Sequence, residues 1–209
     1  MMTGPVLRAG AWPAVLGVTG VAVAVGGCGA AFPAAATMLL PICFALLAAA
    51  AAFTLDEPAS AVVDVTPAGL ARRTSIRALA LLAPLVAGTL VLLAAAMRGL
   101  ALPWAAAGLA LAGHVLLGFT AACLARTRTG EPGAVAGTAV VLALMAPSLV
   151  PHLARWIRTF PAPGGPSSDP VWWTILAVCL AAIAITASGR SLPRWTASVA
   201  IPRRPGAAL

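Results

Sequence analysis

The sequence contains no lysine and no tyrosine, and only five acidic residues, Asp56, Glu57, Asp64, Glu131 and Asp169. None of the five falls inside a long apolar run. A carrier coupled to protons or sodium through an intramembrane carboxylate would therefore have no residue to couple with. Absent too are a His-Glu-x-x-His zinc helix, a Gly-x-Ser-x-Gly nucleophile elbow and a phosphate-binding glycine loop. No cluster of aspartates is present to hold a metal and a diphosphate. The chain is accordingly not expected to be an enzyme, to hydrolyse ATP by itself, or to carry a metal or cofactor. Cysteine is sparse, and Cys43, Cys123 and Cys179 stand singly, with neither metal-ligand nor redox spacing; they read as small apolar packing residues.

What the sequence has instead is apolar length. Hydrophobic residues make up 61% of the 209 residues and charged residues 9%. Six runs free of acidic and basic side chains cover 12–31, 34–55, 78–97, 102–125, 134–150 and 171–188. Each is close to the roughly 20 residues that a helix needs to cross about 30 Å of hydrocarbon. The runs are apolar on every face, whereas a membrane barrel would show short alternating segments. The expected fold is therefore all-α, a polytopic transmembrane bundle of six helices forming one domain. All 13 basic residues are arginine. With so much Ala and Gly, this looks like the codon usage of a GC-rich bacterium, which places the chain in a bacterial plasma membrane. The net charge of +8 does not point to nucleic acid, because no basic segment is large enough to form a soluble binding domain.

The arginines set an orientation, since short cytoplasmic loops retain positive charge. With the N-terminus inside, Arg8, Arg72, Arg73, Arg77, Arg126, Arg128, Arg190, Arg194, Arg203 and Arg204 lie on the inner side. Only Arg98, Arg155 and Arg158 lie outside, so both termini are expected in the cytoplasm. Trp12, Trp104, Trp156, Trp172, Trp173 and Trp195 all fall at or just beyond span ends, the headgroup level that indoles prefer. A competing pattern exists at the N-terminus, where Arg8, the apolar run from Ala14 and Val25-Gly26-Gly27-Cys28 resemble a lipoprotein signal with cleavage before Cys28. The apolar run continues past Cys28, which favours an uncleaved span.

Ala22-x-x-x-Gly26 and Gly133-x-x-x-Gly137 are small-residue ridges that let helices approach closely. His114 is the one ionisable residue deep in a run. It is a candidate for the substrate path, because intramembrane ionisable groups often mark such paths. The competing expectation, which a histidine without a relay partner favours, is a neutral imidazole hydrogen-bonded to a neighbouring helix. His152 is expected at the outer interface. Pro41 and Pro84 each remove a backbone hydrogen bond and are natural places for a kink.

The loop 56–77 is the most informative polar segment. Glu57 before Pro58 and Thr66 before Pro67 each read as a cap followed by a first-turn proline, giving two short helices. Asp56, Glu57 and Asp64 mark the first, and Arg72, Arg73 and Arg77 the second. Juxtamembrane arginines are explained by anionic lipid, but three acids in the same loop are better explained by a protein partner.

Six spans, this compact loop and a longer outer segment at 151–170 resemble the membrane subunit of a type-two ATP-binding-cassette exporter. Leu55-Asp56-Glu57-Pro58-Ala59, Thr66-Pro67 and Arg72-Arg73 are similar to the corresponding loop of small actinobacterial permeases of that kind. The resemblance implies a coupling helix that docks on a cytoplasmic ATP-binding-cassette ATPase through Asp56, Glu57, Asp64, Thr66, Arg72 and Arg73. It also implies a short re-entrant or interfacial helix within 153–160, and a second copy or sister permease enclosing the path. Only about ten residues precede the first span, fewer than the amphipathic helix usual in that family. Apolar spans suit a lipophilic or amphipathic cargo. A different class, a non-transporting membrane scaffold or immunity-type accessory protein, is the alternative.

Overall fold

The computed structural model describes residues 11–56, 77–126, 129, 131–150, 152, 160–161 and 169–187. Among these residues all the regular secondary structure is helical. The helices are α1 (Trp12–Ala31), α2 (Pro33–Phe53), α3 (Leu82–Met97, entered through a 3-10 turn at Leu79–Leu81), α4 (Trp104–Ala125), α5 (Pro132–Leu149) and α6 (Asp169–Ala187). Four stretches, Trp12–Ala31, Pro33–Phe53, Leu79–Met97 and Trp104–Ala125, are long and apolar enough to cross a membrane. The apolar parts of α5 and α6, Pro132–Pro147 and Pro170–Ile185, are shorter. The outer surface is apolar as well, with Leu16, Met38, Leu90, Leu142 and Val178 each more than half exposed. Water would penalise so continuous an apolar exterior, and a bilayer does not.

Local chemistry sets the helix ends. Proline stands in the first turn of α1, α2 and α5, where its missing N–H costs nothing. At the far end of α3, Gly99 adopts φ +74, a conformation easy only for glycine. Gly99 N–H then donates to Ala96 O at 2.9 Å and Leu100 N–H to Ala95 O at 3.1 Å, the paired bonds of a Schellman stop. Pro84 lies in the first turn of α3, immediately after the 3-10 turn. Its missing N–H leaves the carbonyl four residues earlier without a helical partner, so the expected irregularity becomes a change of helix type. Pro41 is buried inside α2, which continues through it.

Helix α2 is the hub of the bundle. Leu40, Pro41, Cys43 to Ala45 and Leu47 to Ala52 are all buried, and α1, α3, α4 and α5 pack around it. An alanine run suits that position, because small side chains let several backbones come near one helix at once. Phe32 alone separates α1 from α2, so the two form a tight hairpin, with Gly29 beside Leu39 and Leu40 and Gly26 beside Cys43. Both expected small-residue ridges are helix contacts. Ala22 and Gly26 are buried, and a Cβ on Gly26 would meet Val91 Cγ1 at 2.6 Å. Gly133 lies against Phe53 and Asp56, and Gly137 against Ala49, which sets α5 antiparallel to α2. Helix α4 comes directly against the backbone of α2 where Gly118 faces Ala48.

Helix α6 packs on α4, running parallel to it. Trp172 fits against Gly113, and the Cys179 thiol reaches the Thr120 hydroxyl. Trp172 is in the first turn of α6, but Gly113 lies midway along α4. The start of α6 is therefore displaced along the bundle by about six residues, roughly 9 Å.

Candidate functional site

Two groups of polar residues stand out, one at an end of the bundle and one in its middle. The end is defined by the last turn of α2, the residues leading into α3, and the first turn of α5. Asp56 turns back onto α5, where its Oδ1 accepts the Gly133 N–H at 2.5 Å, and its carboxylate also accepts from Ala134. A carboxylate at a helix N-terminus satisfies amides that have no partner within the helix and complements the helix dipole. The helix is thus capped from 77 residues away in sequence. Burial pushes the Asp56 carboxyl above its ordinary value, and Glu131 adds to this; the two amides and Arg77 act in the opposite direction. Arg77 is 3% exposed, and its Nη1 donates to Leu55 O at 2.9 Å. That bond joins the two ends of the loop to each other.

Of the residues expected to bind a partner, Asp56 is therefore engaged inside the bundle. Glu57, Asp64, Thr66, Arg72 and Arg73 lie outside the described residues, as do the two short helices expected between 56 and 77. The expected outer helix within 153–160 lies outside them too, apart from Phe160.

The second group surrounds His114, which is 1% exposed. Its Nδ1 is 2.7 Å from Ala110 O. A carbonyl only accepts, so Nδ1 carries the proton. The hydrogen bond thus stays within α4, in place of the expected bond to a neighbouring helix. The imidazole lies 4.3 Å from the Trp172 ring, tilted by 32°, and 5.6 Å from Phe44 in an edge contact. Phe160 continues the row, 5.3 Å from Phe44. Because Phe44 is midway along α2, the segment before α6 reaches the middle of the bundle at Phe160.

Trp172 departs from the interfacial role expected of it. It is fully buried, and its Nε1 has no hydrogen-bond partner among the described residues. Trp104, at the start of α4, and His152 are exposed; Trp173 is exposed too, but it follows Trp172 and so lies level with the middle of α4. Nothing in the sequence marked Trp172 apart from Trp173, although Gly113 immediately before His114 is the small residue that admits its ring.

The threonine hydroxyls are mostly satisfied within their own helices. Thr89, Thr120, Thr138 and Thr174 each donate to the carbonyl four residues earlier. Such back-bonding leaves little polar surface between helices. A groove of about 570 Å³ between α1 and α3 opens on the outside of the bundle and is lined by apolar residues such as Leu16, Val23, Val86 and Leu90. Among the described residues, no three His, Cys, Asp or Glu side chains come together as a metal site. Cys28 is exposed, while Cys43, Cys123 and Cys179 are buried, and all four are free thiols. Comparison with models of protein families, with curated proteins and with solved structures returned no match.

Proposed function

We propose that this chain is the membrane subunit of an ATP-driven exporter in a bacterial plasma membrane, crossing it six times with both termini in the cytoplasm. A separate ATP-binding-cassette ATPase would dock on the 56–77 loop. The observation that carries this reading is the closed base of that loop. Arg77 bonded to Leu55, and Asp56 bonded to α5, make the loop a handle on three helices, which a passive linker does not need. The orientation is supported by the arginines. Arg77 and Arg126 share the Asp56 end of the bundle, and Arg98 lies at the other. The interior around α2 is filled with alanine and leucine, which supports a path between two copies rather than through one. A lipophilic or amphipathic cargo fits such walls. The same dense packing also suits the alternative, a static scaffold that recruits a partner without transporting.

Co-expression with an ATPase encoded beside this chain separates the two readings. The exporter reading expects ATP-dependent movement of a lipophilic dye in inverted vesicles, and loss of co-purification when Glu57 and Asp64 are both changed to Arg. Like-charge contacts across an interface cost enough to produce that loss. Asp56 is left intact in this test, because its role in capping α5 would confuse the result. Stable association without dye movement favours the scaffold, and absence of any associated ATPase removes the exporter. Topology is checked separately: cysteines placed near Arg98 and at Ser167 should react with an impermeant reagent from outside, and those at Ala68 and Arg128 should not.

A further inference from the structure

Asp56 is the last described residue before the 57–76 segment, and its side chain is committed to α5. The fit is close: a Cβ on Gly133 would lie 2.7 Å from both Asp56 Cγ and Phe53 Cα. Elsewhere along their shared face, α2 and α5 meet through small residues such as Ala49 and Gly137. A smooth contact of that kind resists being pressed together but offers little resistance to sliding. A carboxylate bonded to main-chain amides is different, because hydrogen bonds are directional and weaken steeply when misaligned. On the opposite side of the loop, Arg77 holds the approach to α3 against Leu55.

We propose that Asp56 is a positioning residue that fastens the base of the 57–76 loop to α5, so that a load on the loop moves the first turn of α5 together with the ends of α2 and α3. The use of this joint rests on the coupling-loop reading above; its mechanics do not. An engaged loop would thereby act on α5 as well as on the two helices it connects in sequence. Asp56 would serve the partner only indirectly.

The test uses the full chain in lipid nanodiscs, with a short epitope inserted after Ser60 and the cognate nanobody as the load, read by amide hydrogen exchange. Without the nanobody, Asp56→Ala should speed exchange at Gly133 and Ala134 roughly fivefold to tenfold, the effect of losing an N-cap. Asp56→Asn, which keeps an acceptor, should fall between. With the nanobody bound, exchange in the first turn of α5 should change at least about twofold in the parent chain and not in Asp56→Ala. The residues leading into α3 should respond in both. Unchanged exchange at Gly133 in Asp56→Ala overturns the joint. So does a nanobody effect on α5 that survives the substitution, or one that is absent from the parent. If Asp56→Ala does not fold, the parent and Asp56→Asn still decide: a diminished α5 response in Asp56→Asn supports the carboxylate joint, and a full-sized one overturns it. No ATPase or cargo enters the measurement, so the joint can fail while the exporter reading stands, and the reverse.

Discussion

Replacing Gly118 by alanine tests whether the bundle is held at the approach of α4 to α2. The new Cβ would meet the Ala48 carbonyl oxygen, and it would lie 2.6 Å from the carbonyl carbon and 3.1 Å from Cα. These are backbone atoms of the most enclosed helix, so no side chain can swing aside. The two helices must separate by at least about 1 Å to restore ordinary contact. A gap of that size forfeits a quarter to a half of each carbon–carbon attraction, itself about 0.1–0.2 kcal/mol. Over the few tens of atom pairs around Phe44, Ala48, Val115 and Phe119, the loss sums to about 1–4 kcal/mol. Gly20, which has nothing within 4 Å of its would-be Cβ, provides the control. Gly20→Ala should be neutral or stabilising by up to about 1 kcal/mol, since alanine is the better helix former. Gly88→Ala should fall between, because its obstacles are the methyl ends of Leu111 and Leu47. Thermal unfolding in one detergent, followed by circular dichroism, ranks the three. If Gly118→Ala melts with Gly20→Ala, the α2–α4 contact does not limit stability, and the account of α2 as hub fails.

At His114, Asn should be tolerated better than Ala, with Ala costing about 2–4 kcal/mol through the lost ring contacts and the cavity left beside Trp172; unfolding midpoints of the two variants check this. If His114 lines a path, His114→Ala should also alter transport or its pH dependence between pH 5 and 8, and full activity throughout would remove it from the path. For Asp56, the sign follows from a folded-state pKa raised above the ordinary value. In the window from the ordinary carboxylate pKa up to the raised one, the folded chain holds a proton that the unfolded chain releases, so stability falls as pH rises through it. Asp56→Asn should flatten that slope in unfolding measured across pH 3.5 to 7, and an unchanged slope would assign it to another group.

Helix positions were largely legible in the sequence, because a charge-free run of about 20 residues has few other solutions. Trp12–Ala31 agrees with the run at 12–31, while α5 and α6 start two residues earlier than their apolar runs. In both, proline occupies the first turn, and Pro132 and Pro170 begin the helix before the apolar stretch does. Which face of each helix points inward was not legible. A span that is apolar all round carries no 3.6-residue pattern, so nothing distinguished buried Trp172 from exposed Trp173. The role of Asp56 was hidden for another reason. Its partner amides belong to the main chain of Gly133 and Ala134, and a main-chain donor leaves no mark on a sequence. Gly133 was visible only as part of a small-residue ridge, whereas the structure gives its missing side chain a second reason in the carboxylate beside it.

The hairpin of α1 and α2 bears on how the protein is made. Phe32 is the whole connection, it is 65% exposed, and the residues on either side of it, Ala31 and Pro33, are uncharged. For most pairs of spans, the insertion machinery has to carry a hydrated, often charged loop through the hydrocarbon. Here the leading tip is itself oil-soluble, so the pair can enter as one wedge with almost no polar cargo to move. Within the wedge, Gly29 lies against Leu39 and Leu40 of α2 and Gly26 against Cys43, so the two helices already share a contact that needs no later helix. Lengthening the tip with a few charged residues should therefore delay the arrival of the first two helices in the membrane more than it disturbs the finished bundle.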